Sequence, residues 1–337
     1  MPRGPRLDAP GVLHHVMVRG IERRDIFRTD TDREDFVARL AALAEAGAVS
    51  VFAWALLPNH AHLLVRSGYR PLARSMRSLL TGYAGAFNRR HQRAGHLFQN
   101  RYKSVVVEEE AYLLELVRYL HLNPLRAGIV PDLRALDRYP WTGHSALSGC
   151  VSRPWQATAE TLRRFARTPR PARVAYRAFV AAGVAQGRRA DLQGGGLIRS
   201  LGGWQAVQAL RRGQEAYVAD ERVLGSSAFV EAVLQEMERR EVTPGQNRRR
   251  QPDLDTLVHR IAASLGVSPA AVAGRSRAGR APQARQLVAY LWVEHLGRPG
   301  SELARAWGWS RGQVSWAAKR GTEVSQRWRH EIEEWCG

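Results

Sequence analysis

Two histidines separated by one alanine are the first side chains in this sequence whose types and spacing suit chemistry. They lie within residues 56–65, LLPNHAHLLV, which has the pattern of a strand entered through a Pro-Asn turn. Because side chains alternate along a strand, His60 and His62 project to one face, while Ala61 and Leu63 take the other face and can enter a core. Two imidazoles held side by side form half of a metal site. The alternative is that both are polar residues on a half-exposed strand.

A tyrosine and an asparagine one helical turn apart form the second group. The sequence predicts a helix over 109–122, and its core stripe consists of Leu113, Leu116, Val117 and Leu120. At about 100° per residue, Tyr119 and Asn123 fall on one shoulder of this stripe and His121 on the opposite shoulder. A hydroxyl and an amide oxygen can therefore face one point in space. The alternative is that Tyr119 is an aromatic at the core edge and that Asn123 ends the helix before Pro124.

Together these residues suit the transfer of a phosphodiester. His60, His62 and Asn123 can hold one Mg²⁺ or Mn²⁺ through two nitrogens and one oxygen, which leaves positions open for a phosphate oxygen. Tyr119 would then lie close enough to attack the phosphorus in line, giving a covalent phosphotyrosine from which the cut can be rejoined without external energy. Tyr112 shares the face, but a leucine stands one turn after it. Tyr119 is therefore the predicted nucleophile.

The elements that must position these groups follow from the surrounding pattern. The sequence predicts a strand at 11–19, a helix at 32–46, strands at 49–57 and 60–65, a helix at 71–91 and a strand within 98–107. The two middle strands are predicted to pair antiparallel across a tight turn. Residues 150 to about 250 contain Arg-rich helical patches, a Gly-rich break at 193–196 and a charged linker at 244–252. From 253 the pattern is helical to the C-terminus.

The charge of the chain indicates a polyanionic partner. Its 337 residues include 51 Lys and Arg against 31 Asp and Glu, a formal net charge of +20. Nucleic acid is the first candidate, although a GC-rich genome also enriches arginine. Cys150 and Cys336 form no C-x-x-C, which argues against a disulfide framework and a thiolate zinc site. No apolar run approaches the roughly eighteen residues of a membrane span, so we expect a cytoplasmic, nucleoid-associated protein.

An ordered set of motifs over residues 8–148 closely resembles the REP-associated tyrosine transposases, the single-tyrosine group of HUH endonucleases. The motifs are LPNHAHLL at 57–64, GHLFQ at 95–99, RYKS at 101–104, YLL at 112–114, RYLHLNP at 118–124 and YPW at 139–141. The resemblance implies an α+β fold, a ferredoxin-like domain whose antiparallel sheet carries the histidine pair. It implies cleavage of single-stranded DNA at palindromes folded as hairpins, leaving a 5′-phosphotyrosine and a free 3′-OH. By this likeness His60, His62 and Asn123 are metal ligands and Tyr119 is the nucleophile.

The last part of the chain resembles the helical DNA-binding domain of the replication initiator DnaA. The motifs are VSP at 267–269, RSR at 275–277, ARQLVAYL at 284–291, ELA at 302–304 and WG at 307–308. The resemblance implies an all-α region that ends in a helix-turn-helix, with its reading helix at about 310–319 in the major groove of duplex DNA. Arg311 and Gln313 are predicted to contact base edges, and Arg277 and Arg280 are further predicted DNA contacts. The alternative is a purely structural helical domain.

Three domains are predicted: a nuclease domain at 1–149, a helical connector at 150–252 and a DNA-binding domain at 253–337.

Within the nuclease domain, basic side chains lie at the end of the predicted helix 71–91 and at the start of the predicted strand within 98–107. The predicted DNA contacts here are Arg89, Arg90, Arg101 and Lys103. Three aromatic residues are either stacking platforms for unpaired bases or part of the core: Phe98, Tyr102 and Trp141.

The function expected from these observations is a transposase that nicks and rejoins single strands at repeated palindromes, as a monomer or homodimer. One alternative is a catalytically silent regulator that binds palindromes with the same fold. A second alternative is an HUH replication initiator or relaxase, which would need a helicase, and no P-loop motif is present to support it.

Overall fold

The computed structural model describes Leu7, residues 11–68 and 70–187, Asp220, and residues 222–242, 252–274, 276–328 and 331–336. The chain forms two compact units, residues 1–237 and 238–337. The predicted Gly-rich break at 193–196 lies outside the described residues, as does most of the predicted linker at 244–252. Within the described residues, no helix is long and apolar enough to cross a membrane.

A five-stranded sheet organises the first unit. Its strands are β1 (Leu13–Arg19), β2 (Val49–Leu57), β3 (His60–Ser67), β4 (Lys103–Val107) and β5 (Val223–Leu224), in the order β2-β3-β1-β4-β5. The first four strands pair antiparallel, and the β2–β3 hairpin was predicted with nearly these bounds. The fifth strand pairs parallel to β4 and comes from the region predicted to be helical. The predicted α+β class is confirmed, and the sheet is mixed rather than purely antiparallel.

Two helices cover one face of this sheet. They are α1 (Asp30–Glu45), which is capped by Thr29, and α2 (Leu72–Arg90). Ala61 and Leu63, the residues that alternate with the two histidines, are fully buried in this core together with Phe36 of α1 and Tyr83 of α2. Strand β3 therefore buries its apolar face against α1 and α2, and its histidines project from the opposite face of the sheet.

The opposite face is covered by α3 (Glu109–His121) and by helices that follow it. These are α4 (Asn123–Arg126), α5 (Leu133–Arg138), α6 (His144–Leu147), α7 (Thr158–Arg163) and α8 (Pro169–Ala182). The predicted stripe of α3 is buried here beside Leu162 of α7 and Val180 of α8. His121 lies on the opposite shoulder of α3 from Tyr119, as predicted, and its Nδ1 is 2.8 Å from the hydroxyl of Tyr176.

The two compact units differ from the three predicted domains. Helices α7 and α8 belong to the predicted connector at 150–252, yet they share a core with α3. The strand β5 and the start of helix α9 (Ser227–Val242) also pack within the first unit. The chain returns to the first sheet after position 149, and local sequence pattern carries no signal for such a long-range contact.

The second unit is helical, as predicted. Its helices are α10 (Leu254–Leu265), α11 (Pro269–Ala273), α12 (Ala281–Tyr290), α13 (Gly300–Trp307), α14 (Arg311–Ser325) and α15 (Glu331–Cys336). Gly308 adopts a left-handed conformation with φ of 63°, which ends α13 and allows the short turn into α14. Helices α12 and α14 pack so closely that a Cβ at Gly321 would collide with the backbone oxygen of Gln286.

Candidate active site

The two histidines of β3 lie side by side on the face of the sheet that α3 covers. Their ring centroids are 5.2 Å apart. In the antiparallel pairing of β1 with β3, Arg19 lies opposite His60 and Met17 lies opposite His62, so all four side chains share one face. His62 is buried and His60 is half-buried. The hairpin thus places a pair of imidazoles at the end of β3, where the strand leaves the turn.

Tyr119 reaches the same face from α3. Its ring stands edge-on to the imidazole of His62, with centroids 6.5 Å apart and planes inclined by 89°. The tyrosine is only 5% exposed, and the guanidinium of Arg126 lies 5.4 Å from its ring centroid. The structure therefore brings together the predicted nucleophile and the predicted imidazole ligands, which are more than fifty residues apart in sequence.

Both imidazoles of the pair are neutral at physiological pH. Burial, followed by the positive charge of Arg19, lowers the pKa of His60 from 6.5 to about 4. Burial lowers the pKa of His62 well below 6.5, and electrostatic repulsion from Arg19, and from His15 and His60 whenever they are protonated, adds to the effect. A neutral imidazole has a lone pair to offer, so these histidines are in the state that metal coordination requires.

The donor atoms of this site fit a divalent cation. The Nδ1 atom of His60 lies 2.6 Å from Oδ1 of Asn59, which is a hydrogen bond when Nδ1 carries the proton and which leaves Nε2 for a ligand. Asn123 is the first residue of α4 and is separated from the end of α3 by Leu122 alone. Its Nδ2 atom is buried with no hydrogen-bond partner among the described residues. A turn of the side-chain amide exchanges its oxygen and nitrogen, so Asn123 can offer an oxygen to a cation without losing a hydrogen bond of this Nδ2 atom. The described residues contain no cluster of three or more His, Cys, Asp and Glu side chains suited to a metal.

Sequence reasoning missed two residues of this face, His15 and Arg19. His15 is fully buried, and its Nε2 atom lies 3.0 Å from Nδ1 of His62. Both residues stand at alternate positions of β1, which also carries a second histidine, His14, on its other face. The alternation in β1 was visible, but only the register with β3 shows which of the two histidines joins the site.

The predicted DNA contacts of the first unit have different surroundings. Arg89 and Arg101 are exposed. Met17 of β1 pairs with His62 of β3 on one side and with Lys103 of β4 on the other. Lys103 therefore projects to the same face of the sheet as His62, two strands away from it. Arg90 instead forms an ion pair of 2.5 Å with the buried Asp32. Its charge serves the contact between α1 and α2, which leaves it less suited to a phosphate than its neighbour Arg89.

Two of the three aromatic candidates for base stacking belong to the core. Tyr102 and Trp141 are buried in the cluster beneath α1 and α2, and Phe98 is partly buried against it. These rings stabilise the fold, which is the alternative that the sequence left open.

In the second unit, the predicted DNA contacts Arg277, Arg280 and Arg311 are exposed. Gln313 is exposed too, but its Oε1 accepts a hydrogen bond from the backbone N–H of Ser310, whose hydroxyl accepts one from the N–H of Gln313. This reciprocal cap occupies the amide oxygen that was predicted to read a base.

An exposed tryptophan was not singled out from the sequence. Trp316 of α14 is 59% exposed, and the guanidinium of Arg320 lies 5.8 Å from its ring centroid.

The fold and site thus define an α+β chain with a histidine pair on its sheet and a tyrosine facing it from a helix. Comparison with known families gives a match to the model described as IS200-like transposase over residues 10–123. The matched range contains β3, α3 and the four residues predicted as metal ligands and nucleophile, His60, His62, Asn123 and Tyr119. A solved structure of a REP-associated tyrosine transposase bound to a REP hairpin is similar at a TM-score of 0.38 and 17% identity, over 45% of this chain and 89% of that chain. No curated protein matches the chain.

Proposed function

We propose that this protein is a metal-dependent single-stranded DNA endonuclease and strand transferase, a transposase that acts at repeated palindromic hairpins. The observation that carries the proposal is the convergence of Tyr119 on the face of β3 that presents His60 and His62. The similarity to IS200-like transposases over residues 10–123 supports it. The element order β1–α1–β2–β3–α2–β4, with sheet order β2-β3-β1-β4, supports the ferredoxin-like topology implied by the resemblance.

The residues that would hold the cation are His60, His62 and Asn123. A bound Mg²⁺ or Mn²⁺ supplies Lewis-acid polarisation of a phosphate oxygen. The two histidines contribute neutral nitrogens, which their burial and the nearby Arg19 maintain. Arg19 also places a positive charge beside His60, the more exposed histidine, where a DNA phosphate can approach.

Tyr119 supplies the nucleophile. Its hydroxyl oxygen forms a bond to phosphorus as the bond to the 3′-oxygen breaks, so the products are a 5′-phosphotyrosine and a free 3′-OH. The phenol gives up its proton, and the departing 3′-oxygen takes one up. Attack by a 3′-OH on the phosphotyrosine reverses these changes and joins strands. The packing of the ring against His62 and near Arg126 holds the nucleophile in place for this attack.

The second unit is proposed to bind duplex DNA through a helix-turn-helix made of α13 and α14. The face of α14 that is turned away from α12 presents Arg311, Trp316, Lys319 and Arg320 to solvent. Three positive side chains on one exposed helix face suit the phosphates and base edges of a groove. Arg280 immediately precedes α12 and lines a cleft with Glu323 and Arg327. Glu323 forms an ion pair of 3.3 Å with Arg320.

The deciding experiment is covalent capture. The full chain is incubated with Mn²⁺ and hairpin DNA from its own genomic neighbourhood, labelled at the 3′ end so that a 5′-phosphotyrosine retains the label. A labelled protein band that survives denaturation is expected for the natural chain and for Tyr112→Phe, and its loss is expected for Tyr119→Phe. Hairpin binding without any adduct would instead indicate the catalytically silent regulator.

A further inference from the structure

A third histidine, His15 of β1, contacts the histidine pair. Its Nε2 atom lies 3.0 Å from Nδ1 of His62, and the two rings are nearly parallel, with planes inclined by 28° and centroids 5.3 Å apart. His15 is fully buried and His62 is 6% exposed. In the pairing of β1 with β3, His15 lies opposite Leu64 and His62 opposite Met17, which makes the two histidines diagonal neighbours on one face.

A contact of this length between two ring nitrogens requires one proton between them. Two imidazolium ions at 3.0 Å in a buried site would repel each other strongly, so at least one of the rings is neutral. Two arrangements are then open. Either Nδ1–H of His62 donates to Nε2 of His15, or Nε2–H of His15 donates to Nδ1 of His62.

Only the first arrangement leaves His62 able to serve the site. With its proton on Nδ1, His62 has its lone pair on Nε2; in the second arrangement a neutral His62 carries its proton on Nε2 and both of its nitrogens are engaged. His60 shows the same design, since its Nδ1 is 2.6 Å from the oxygen of Asn59. In metal sites, the partner of a histidine's second nitrogen fixes its tautomer and ring orientation.

We propose that His15 is a positioning residue for His62: its Nε2 accepts the Nδ1–H of His62, which fixes the tautomer and the ring plane that metal coordination needs. His15 also stands edge-on to Tyr119, with ring centroids 6.4 Å apart and planes inclined by 75°. One buried side chain thus borders both the ligand and the nucleophile. This inference rests on the proposed function, because it assumes that His62 is a ligand.

The neighbouring residue His14 provides a matched control. It is equally buried, but it lies on the other face of β1, where its Nδ1 is 3.2 Å from the hydroxyl of Ser104. A substitution at His14 therefore disturbs the same strand without touching His62.

The first test measures Mn²⁺ binding to the full chain without DNA, from the electron paramagnetic resonance signal of free Mn²⁺. His15→Phe, which keeps an aromatic ring but has no acceptor, is expected to weaken Mn²⁺ binding about 10- to 100-fold. His15→Gln, whose amide oxygen can accept from His62, is expected to restore part of this loss, and His14→Gln to bind as the natural chain does. Circular dichroism checks that each variant is folded.

The second test needs no substitution. In a protein labelled with ¹⁵N-histidine, long-range proton–nitrogen spectra report which nitrogen of each neutral imidazole carries the proton. His62 is expected to be protonated at Nδ1, and protonation at Nε2 would overturn the inference. The inference would also be overturned if His15→Phe bound Mn²⁺ as tightly as the natural chain and His60→Ala bound it more weakly, because the metal site would then not depend on His15. A natural chain that binds no Mn²⁺ at all would remove the metal site and the inference together, whereas the first two results would leave the proposed function standing.

Discussion

The imidazole of His62 and the phenol of Tyr119 stand edge to face, 6.5 Å apart between ring centroids, although one comes from a strand and the other from a helix. The two histidines of the pair differ in how much of the fold depends on them. His62 is buried between His15 and Tyr119, while His60 is half-buried and its Nδ1 contacts the adjacent Asn59.

Alanine substitutions should separate catalysis from stability at this pair. His60→Ala and His62→Ala are both expected to abolish the covalent DNA adduct. His62→Ala should also lower the free energy of unfolding by about 2–4 kcal/mol, because it leaves a cavity and removes the hydrogen bond between His62 and His15, whereas His60→Ala should cost less than about 1 kcal/mol. Urea titration and denaturing gels measure the two effects. Equal losses of stability would contradict the difference in burial.

Acid should destabilise the first unit through His14. Burial lowers the pKa of His14 from 6.5 to about 4, so the folded state disfavours a proton that the unfolded chain binds readily. Stability is therefore intact above pH 6.5 and falls as the pH drops towards 4, by up to about 3 kcal/mol from this residue. His14→Gln should remove its own share of the fall between pH 6.5 and 4 in urea unfolding experiments, while the share of the other buried histidines, His60 and His62 among them, remains. A fall as steep in His14→Gln as in the natural chain would contradict this prediction.

Asp32 should be a main stabilising residue of the α1–α2 contact. Burial would raise the pKa of its carboxyl group, but hydrogen bonds from His91, Thr29 and Arg90 outweigh burial and lower it. Asp32→Asn should reduce stability by about 2–4 kcal/mol, since it removes a capping acceptor and leaves Arg90 without its buried partner. The exposed Asp30 lies two residues away in the same helix turn, and Asp30→Asn should cost less than about 0.5 kcal/mol. Thermal unfolding of both variants provides the comparison.

Arg89 and Arg90 are adjacent in sequence, but only Arg89 should contribute to DNA binding. Arg89→Gln is expected to weaken hairpin binding and to reduce the slope of log K against log salt by about 1, because an exposed arginine that contacts a phosphate displaces counterions. Arg90→Gln is expected to lower stability and to leave that slope nearly unchanged, since its charge is paired with Asp32. Fluorescence anisotropy of a labelled hairpin across a salt series measures the slopes. Reversed effects would show that Arg90 is the phosphate contact.

The predicted nuclease domain at 1–149 should not be stable when it is produced alone. The two ring nitrogens of His144 lie 2.8 Å from Oδ1 of Asp137 and 2.6 Å from the hydroxyl of Tyr176. The same hydroxyl is 2.8 Å from Nδ1 of His121, so Tyr176 links two buried histidines by hydrogen bonds. A fragment that ends at 149 lacks Tyr176 and the apolar residues of α7 and α8 that cover α3. We expect fragment 1–149 to be poorly folded by circular dichroism and fragment 1–237, which spans the whole first unit, to be well folded. In the full chain, Tyr176→Phe should cost about 1–3 kcal/mol.

Local pattern in the sequence determined the elements that carry the site. Alternation along residues 60–65 decided the facing of His60 and His62, because side chains of a strand alternate whatever the strand pairs with. Helical periodicity likewise placed Tyr119 and His121 on opposite shoulders of α3. The resemblance carried by the motifs implied metal binding and DNA cleavage, whereas residue spacing alone was equally compatible with surface histidines and a tyrosine at the core edge.

Tertiary structure decided which of these elements meet. The register of β1 against β3 brought His15 rather than His14 to the site, and a shift by one residue would have exchanged them. The return of α7, α8 and β5 to the first sheet, the ion pair of Arg90 with Asp32 and the capping role of Gln313 all depend on side-chain partners that residue type does not reveal. A short-range pattern specifies the direction of a side chain, but only the packed chain specifies what lies in that direction.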